Sequence, residues 1–72
     1  MLYRITVKNS KQTSGIRVER GMSVSVATNS MSNPVITNGG QAVVDAFMRI
    51  YGIDIKKAGA LSMAYLDVER IG

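Results

Sequence analysis

The sequence predicts an α+β fold, a small antiparallel sheet in the order β-β-β-α-β with one helix packed on a face. Three observations predict it. Apolar and polar residues alternate with a period of two near the start, in the second quarter and at the end of the chain. A central stretch carries the i, i+3, i+4, i+7 spacing of an amphipathic helix. The chain has 72 residues, 46% hydrophobic and 19% charged, which is enough for one domain over residues 1–72 and too apolar for disorder. A small closed barrel capped by the helix is the alternative arrangement of these elements.

The first strand is read over residues 3–7, with Tyr3, Ile5 and Val7 on one face and Arg4 and Thr6 on the other. Lys8 to Gly15 is polar throughout and reads as a loop. Ile16 and Val18 then alternate with Arg17 and Glu19, and Met22, Val24 and Val26 alternate with Ser23 and Ser25. Pairing Val18 with Met22 and Ile16 with Val24 puts all four on one face. The connection would then be Glu19-Arg20-Gly21, and a three-residue hairpin wants the left-handed residue that Gly21 supplies. A hairpin of these two runs is therefore expected.

Residues 28–38 form a long connection rich in turn formers, where Pro34 bars a central strand. The clearest helix runs from Gly39 to Tyr51, with Val43, Ala46, Phe47, Ile50 and Tyr51 on the buried face. Asn38 is its expected N-cap, and Gln41 three residues on completes a capping-box pattern. Gly52 stands where a left-handed C-terminal residue belongs, with Ile53 placed to reach Met48 as in a Schellman motif, and Arg49 in the last turn suits the helix dipole. Asp54 is expected to cap a short turn through Lys56, Lys57 and Ala58, closed by Gly59. Met63 to Ile71 reads as the last strand, with Leu66 and Val68 inward and Asp67 and Glu69 outward, and the first and last strands are expected to pair.

Composition narrows function. The chain has no histidine, no cysteine and no tryptophan, and its five carboxylates are Glu19, Asp45, Asp54, Asp67 and Glu69. Disulfides, Cys/His zinc sites and histidine-activated nucleophiles are thereby excluded. The expectation is a protein that is not an enzyme, with no catalytic residue, no metal site and no cofactor. Asp67 and Glu69 share a strand face, but an outer face is flat and wet and does not exclude water from a reacting group. No run reaches transmembrane length and the start has no signal-peptide core, so a cytoplasmic protein without membrane contact is expected.

The net charge is +4, which permits a polyanionic partner. The basic residues are dispersed, however, and only Lys56 and Lys57 are adjacent. Two candidate sites follow. Asn38, Gly39, Gly40 and Gln41, at a helix start with free N–H groups, would hold a phosphate or carboxylate, with Lys56 and Lys57 adding cations if the fold brings them close. That segment lacks the Lys-Ser/Thr of a P-loop, and simple capping is its commoner meaning. Arg4, Lys8 and Arg17, with Tyr65 in the last strand, would make a sheet face for nucleic acid. Its competitor is cross-strand pairing, since Asp67 and Glu69 would lie beside Arg4 if the first and last strands pair.

The run Asn38-Gly39-Gly40-Gln41-Ala42-Val43-Val44-Asp45-Ala46-Phe47, followed by Tyr51-Gly52-Ile53-Asp54-Ile55-Lys56-Lys57-Ala58-Gly59-Ala60-Leu61, resembles a small uncharacterised family of bacterial proteins from gut anaerobes. Gly21-Met22-Ser23-Val24 and Tyr65-Leu66-Asp67-Val68-Glu69 are similar to it too, so the resemblance covers nearly the whole chain. It implies a domain of unknown function, a bacterial origin and a small stand-alone protein, and it implies no activity and no site residues.

The function expected first is a non-enzymatic interaction or structural module that self-associates or binds a protein partner. In a chain this short, burial and ordering entropy nearly cancel, and a partner adds buried surface. A nucleic-acid-binding module and an anion binder at residues 38–41 are the alternatives.

Overall fold

In the computed structural model, residues 1–13, 15–28 and 33–72 are described, and they form five strands and one α-helix. Strands β1 (Leu2–Val7), β4 (Ser23–Ala27) and β5 (Leu66–Arg70) make an antiparallel sheet in the order β4-β1-β5. Strands β2 (Lys11–Thr13) and β3 (Ile16–Val18) make a separate two-stranded antiparallel sheet. Helix α1 (Gln41–Tyr51) lies between β4 and β5 in the chain. The class is α+β as the residue pattern predicts, with one strand more than predicted: the order is β-β-β-β-α-β.

The central strand explains the sheet. Tyr3, Ile5 and Val7 are buried, and their partners Val26 and Val24 on β4, and Val68 and Leu66 on β5, share that face. Arg4 and Thr6 stand on the other face beside Ser25 and Ser23, and beside Glu69 and Asp67. The first and last strands pair as expected, from Tyr3 opposite Arg70 to Val7 opposite Leu66. Strand β5 is shorter than the predicted Met63–Ile71, because Met63 to Tyr65 form a turn in which the Leu66 N–H reaches the Ser62 carbonyl at 2.9 Å.

The expected hairpin of Ile16–Val18 with Met22–Val26 does not form. Ile16–Val18 pairs backward with Lys11–Thr13, in the register Lys11 to Val18 and Thr13 to Ile16. Within the stretch read as a loop over Lys8–Gly15, Lys11–Thr13 is therefore a strand and Gly15 stands at φ 76, while Ser14 lies outside the described residues. The Val18 and Met22 runs part company at Gly21, which stands at φ 98. The Met22 N–H bonds the Glu19 carbonyl at 3.2 Å, and Gly21 and Met22 together oppose Val7: the Gly21 N–H donates to the Val7 carbonyl and the Val7 N–H donates to the Met22 carbonyl. Two residues against one is a bulge that wants a glycine at positive φ. The turn residue is where the pattern predicts it, but it steers the chain from one sheet to the other. The period-two pattern orients Val18 and Met22 inward in either pairing, so it could not choose between them.

Helix α1 buries Val43, Ala46 and Phe47 against the sheet. Ile50 and Tyr51, expected inside, are 58% and 38% exposed. The last turn sits at the start of β4, where the Tyr51 hydroxyl meets Ser23. Phe47 and Tyr51 stack with ring centroids 5.8 Å apart. The helix closes at Gly52 as predicted, in the left-handed region, with its N–H on the Met48 carbonyl at 3.0 Å. This single bond is the simple left-handed cap.

The helix start is also corrected. Asn38, Gly39 and Gly40 take φ values of 50°, 66° and 74°, so the helix begins at Gln41 after a left-handed turn. Asn38 makes no side-chain cap, and the Gln41 side chain donates through Nε2 to Asp45 Oδ1 at 2.7 Å rather than closing a capping box. Three successive left-handed residues are tolerated only by glycine and, less well, asparagine. Gly40 has a second reason: a Cβ there would lie 2.7 Å from the Val35 carbonyl oxygen and 3.0 Å from the Leu61 side chain.

Asp54 caps its turn as expected, accepting the Lys57 N–H on Oδ1 at 3.0 Å. The Ala60 N–H reaches the Ile55 carbonyl and the Gly59 N–H reaches the Lys56 carbonyl, which is a Schellman closure around one helical turn. That closure turns Ile55, Ala58 and Ala60 fully into the core. Of the long connection read over residues 28–38, Thr28 and 33–38 are described, and Pro34 sits in a turn where Asn33 Oδ1 accepts the Val35 N–H at 2.8 Å. Residues 29–32 lie outside the described residues.

Candidate functional site

The sequence-predicted cations do not gather on one face. Arg4 Nη1 lies 3.8 Å from Glu69 Oε1, and Arg17 Nε lies 3.0 Å from Glu19 Oε1, with all four side chains more than half exposed. Arg4 is on the three-stranded sheet and Arg17 on the two-stranded one. Lys8 is exposed just after β1. Tyr65 is half-buried, and Lys11 Nζ sits 4.8 Å above its ring, so a cation of the chain itself occupies that aromatic face. Arg17 and Lys11 border a shallow depression of about 190 Å³.

The glycine-rich turn and the lysine turn serve structure. Gly40 is buried beneath Val35 and Leu61, and the Gln41 N–H donates to the Asn38 carbonyl within the left-handed turn. Lys56 and Lys57 are exposed, and the side chain resting against the Gly59 end of their turn is that of Lys11. Of the carboxylates, Asp67 and Glu69 are exposed on the open sheet face, and Asp54 is spent on its cap.

A different feature emerges at the sheet edge. Strand β1 is central, so β4 and β5 each present one side of their backbone away from it. The Met22 carbonyl bonds Val7, and Thr28 exchanges bonds with Met1 in both directions, at 2.9 and 2.7 Å. Alternation along an antiparallel strand then turns the even-numbered residues of β4 toward β1 and the odd-numbered ones, Ser23, Ser25 and Ala27, outward.

Ser23 is covered. The Tyr51 hydroxyl accepts its N–H at 2.9 Å and donates to its carbonyl at 3.1 Å. Ser25 and Ala27 instead open into a groove of about 410 Å³ between β4 and α1, walled by Leu2 and Val26 on one side and by Ala42, Asp45, Ala46 and Arg49 on the other. The opposite edge differs. Strand β5 carries Asp67, Glu69 and Arg70, and the Leu66 N–H is taken by Ser62. Edge strands guarded by inward or flanking charge resist pairing, whereas an edge whose own strand is β-branched and uncharged lacks that protection. No charged residue occurs between Arg20 and Asp45, so β4 itself carries no charge, and the charges nearest its edge are Asp45 and Arg49 across the groove. Sequence reasoning missed this surface; that uncharged stretch is the signal that pointed to it.

Among the described residues, no helix is long and apolar enough to cross a membrane. Residues 1–68 match a family of unknown function, DUF6140. No curated protein and no solved structure gives a match.

Proposed function

The chain belongs to that family, which carries no assigned activity, and we propose from geometry that it is a non-enzymatic interaction module whose working surface is the β4 edge. It accepts an extended chain segment there as a further strand of the sheet. Main-chain hydrogen bonds hold the segment, and the α1 wall sets which side chains fit. The single observation behind this is the outward, uncharged backbone of Ser25 and Ala27 beside an open groove. The carboxylates support the non-enzymatic part, since Glu19, Asp45, Asp67 and Glu69 are exposed and Asp54 is engaged in a cap. A cytoplasmic setting in a bacterium goes with this reading, consistent with a chain that has no cysteine.

The test is a displayed library of random seven-residue peptides, with each recovered peptide titrated into the isotope-labelled chain. The amide signals of Ser25 and Ala27 are expected to move first, and Ser25→Pro, which deletes an outward N–H without touching the β1 ladder, is expected to abolish binding. Shifts centred on Lys8 and Arg17, on Gly39–Gln41 or on Lys56 and Lys57 would overturn the reading. Parallel titrations with a single-stranded oligonucleotide and with inorganic phosphate, at low salt, probe the two polyanion alternatives.

A further inference from the structure

We propose that the strand this edge takes is a second copy of β4, so that two chains pair antiparallel about a two-fold axis and join their sheets into one. This rests on the edge being a strand acceptor, as argued above, and adds the identity of the strand and its register.

The partner follows from chemistry. The groove beside Ser25 and Ala27 holds one acidic and one basic side chain, Asp45 and Arg49, so it carries no net charge to select a charged strand and is matched by an uncharged one. Within this chain β1 carries Arg4, β2 Lys11, β3 Arg17, and β5 Asp67, Glu69 and Arg70, while β4 reads Ser-Val-Ser-Val-Ala. Among the described residues, none hydrogen-bonds the outward backbone of Ser25 and Ala27 on β4, which a two-fold contact needs, since each copy must present the same surface. The axis of an antiparallel pair stands perpendicular to the sheet, so both copies of α1 fall on one face and the buried faces become continuous.

The register follows from Tyr51. Its hydroxyl already satisfies both backbone groups of Ser23, which leaves Ser25 and Ala27. A symmetric pairing that uses both and leaves Tyr51 in place has its axis at Val26. Ser25 then faces Ala27 of the partner subunit and Ala27 faces Ser25 of the partner subunit, and each pair exchanges both of its N–H···O bonds. An axis at Ser25 would instead set Ser23 against Ala27 of the partner subunit and break both Tyr51 bonds.

The absence of cysteine makes the register directly testable. Ser25 and Ala27 are exposed on the open face, so cysteines placed there are accessible. Directly opposed residues have Cα atoms about 5.5 Å apart, within reach of a disulfide, whereas the diagonal spacing is longer. Under mild oxidation Ser25→Cys alone and Ala27→Cys alone are expected to stay uncrosslinked, and their mixture is expected to form a covalent dimer of one copy each. Sedimentation equilibrium of the unmodified chain should show a monomer–dimer equilibrium that Ser25→Pro abolishes while the amide spectrum stays folded. Efficient cross-linking of Ser25→Cys with itself would overturn the register. A chain monomeric to about 1 mM would overturn self-pairing. If selected peptides still move the Ser25 and Ala27 signals of such a monomer, the strand-acceptor reading survives alone; if the edge takes neither peptide nor second copy, both fall.

Discussion

Single residues in this molecule are constrained mostly by backbone. Gly40 holds φ 74 and has the Val35 carbonyl oxygen 2.7 Å from where a Cβ would stand, whereas Gly39 holds φ 66 with nothing within 4 Å. Both substitutions to alanine carry the left-handed penalty of about 1–2 kcal/mol, but only Gly40→Ala adds a clash with main chain. Urea unfolding should therefore show a loss of about 1 kcal/mol for Gly39→Ala and at least twice that for Gly40→Ala. Equal losses for the two variants would mean that the Val35 carbonyl does not restrict position 40. Asn38 and Gly39–Gly40 were legible in the sequence as a helix boundary. Their left-handed conformation was not, because asparagine and glycine serve equally well as caps and as left-handed turn residues, and the choice depends on Val35 and Leu61 approaching from elsewhere.

At the scale of elements, the two ends of the helix do different work. Its first turns form the groove wall at Ala42 and Asp45, and its last residue closes the strand edge at Ser23. Tyr51→Phe keeps the stacking on Phe47 but removes the hydroxyl from both Ser23 groups. It should cost about 1 kcal/mol, and hydrogen exchange at the Ser23 amide should quicken while that at Val24 and Val26 does not. An unchanged Ser23 exchange rate would mean the hydroxyl does not guard the edge. The strands were legible as strands wherever alternation ran for several residues, as in Tyr3-Arg4-Ile5-Thr6-Val7. Lys11-Gln12-Thr13 escaped because it has no apolar residue to alternate: it is an edge strand held by its partner's hydrogen bonds and by Lys11 resting on Tyr65 and Gly59.

For the whole molecule, the core decides. Phe47 is fully buried where the helix meets the sheet, and it has Val43, Ala46 and Ile55 as companions in one cluster. Phe47→Ala should cost about 3–5 kcal/mol. That is comparable with the total stability of a chain this size, so circular dichroism at room temperature should find the variant largely unfolded. Association shifts the same balance. If copies pair through β4, the thermal midpoint of the unmodified chain rises with its concentration and that of Ser25→Pro does not. A midpoint independent of concentration in both would leave the molecule to stand on its own core.

The sequence by itself determined most of the inward-facing residues and where the chain turns: Tyr3, Ile5, Val7, Val24, Val26, Val43, Phe47 and Leu66 are buried as their periodicity predicts, Ile50 and Tyr51 at the helix end are not, and Gly21, Gly52 and Gly59 all sit at turns. It also excluded cysteine and histidine chemistry outright. Periodicity reports the face a residue takes because that depends only on its own position along the strand or helix. Pairing was left to the tertiary structure, because hydrogen bonds between strands are made by backbone groups that every residue carries alike. Whether Ile16–Val18 joined Lys11–Thr13 or Ser23–Ala27, and hence which strand was left with an open edge, was decided by how the whole set of apolar faces closed over one core.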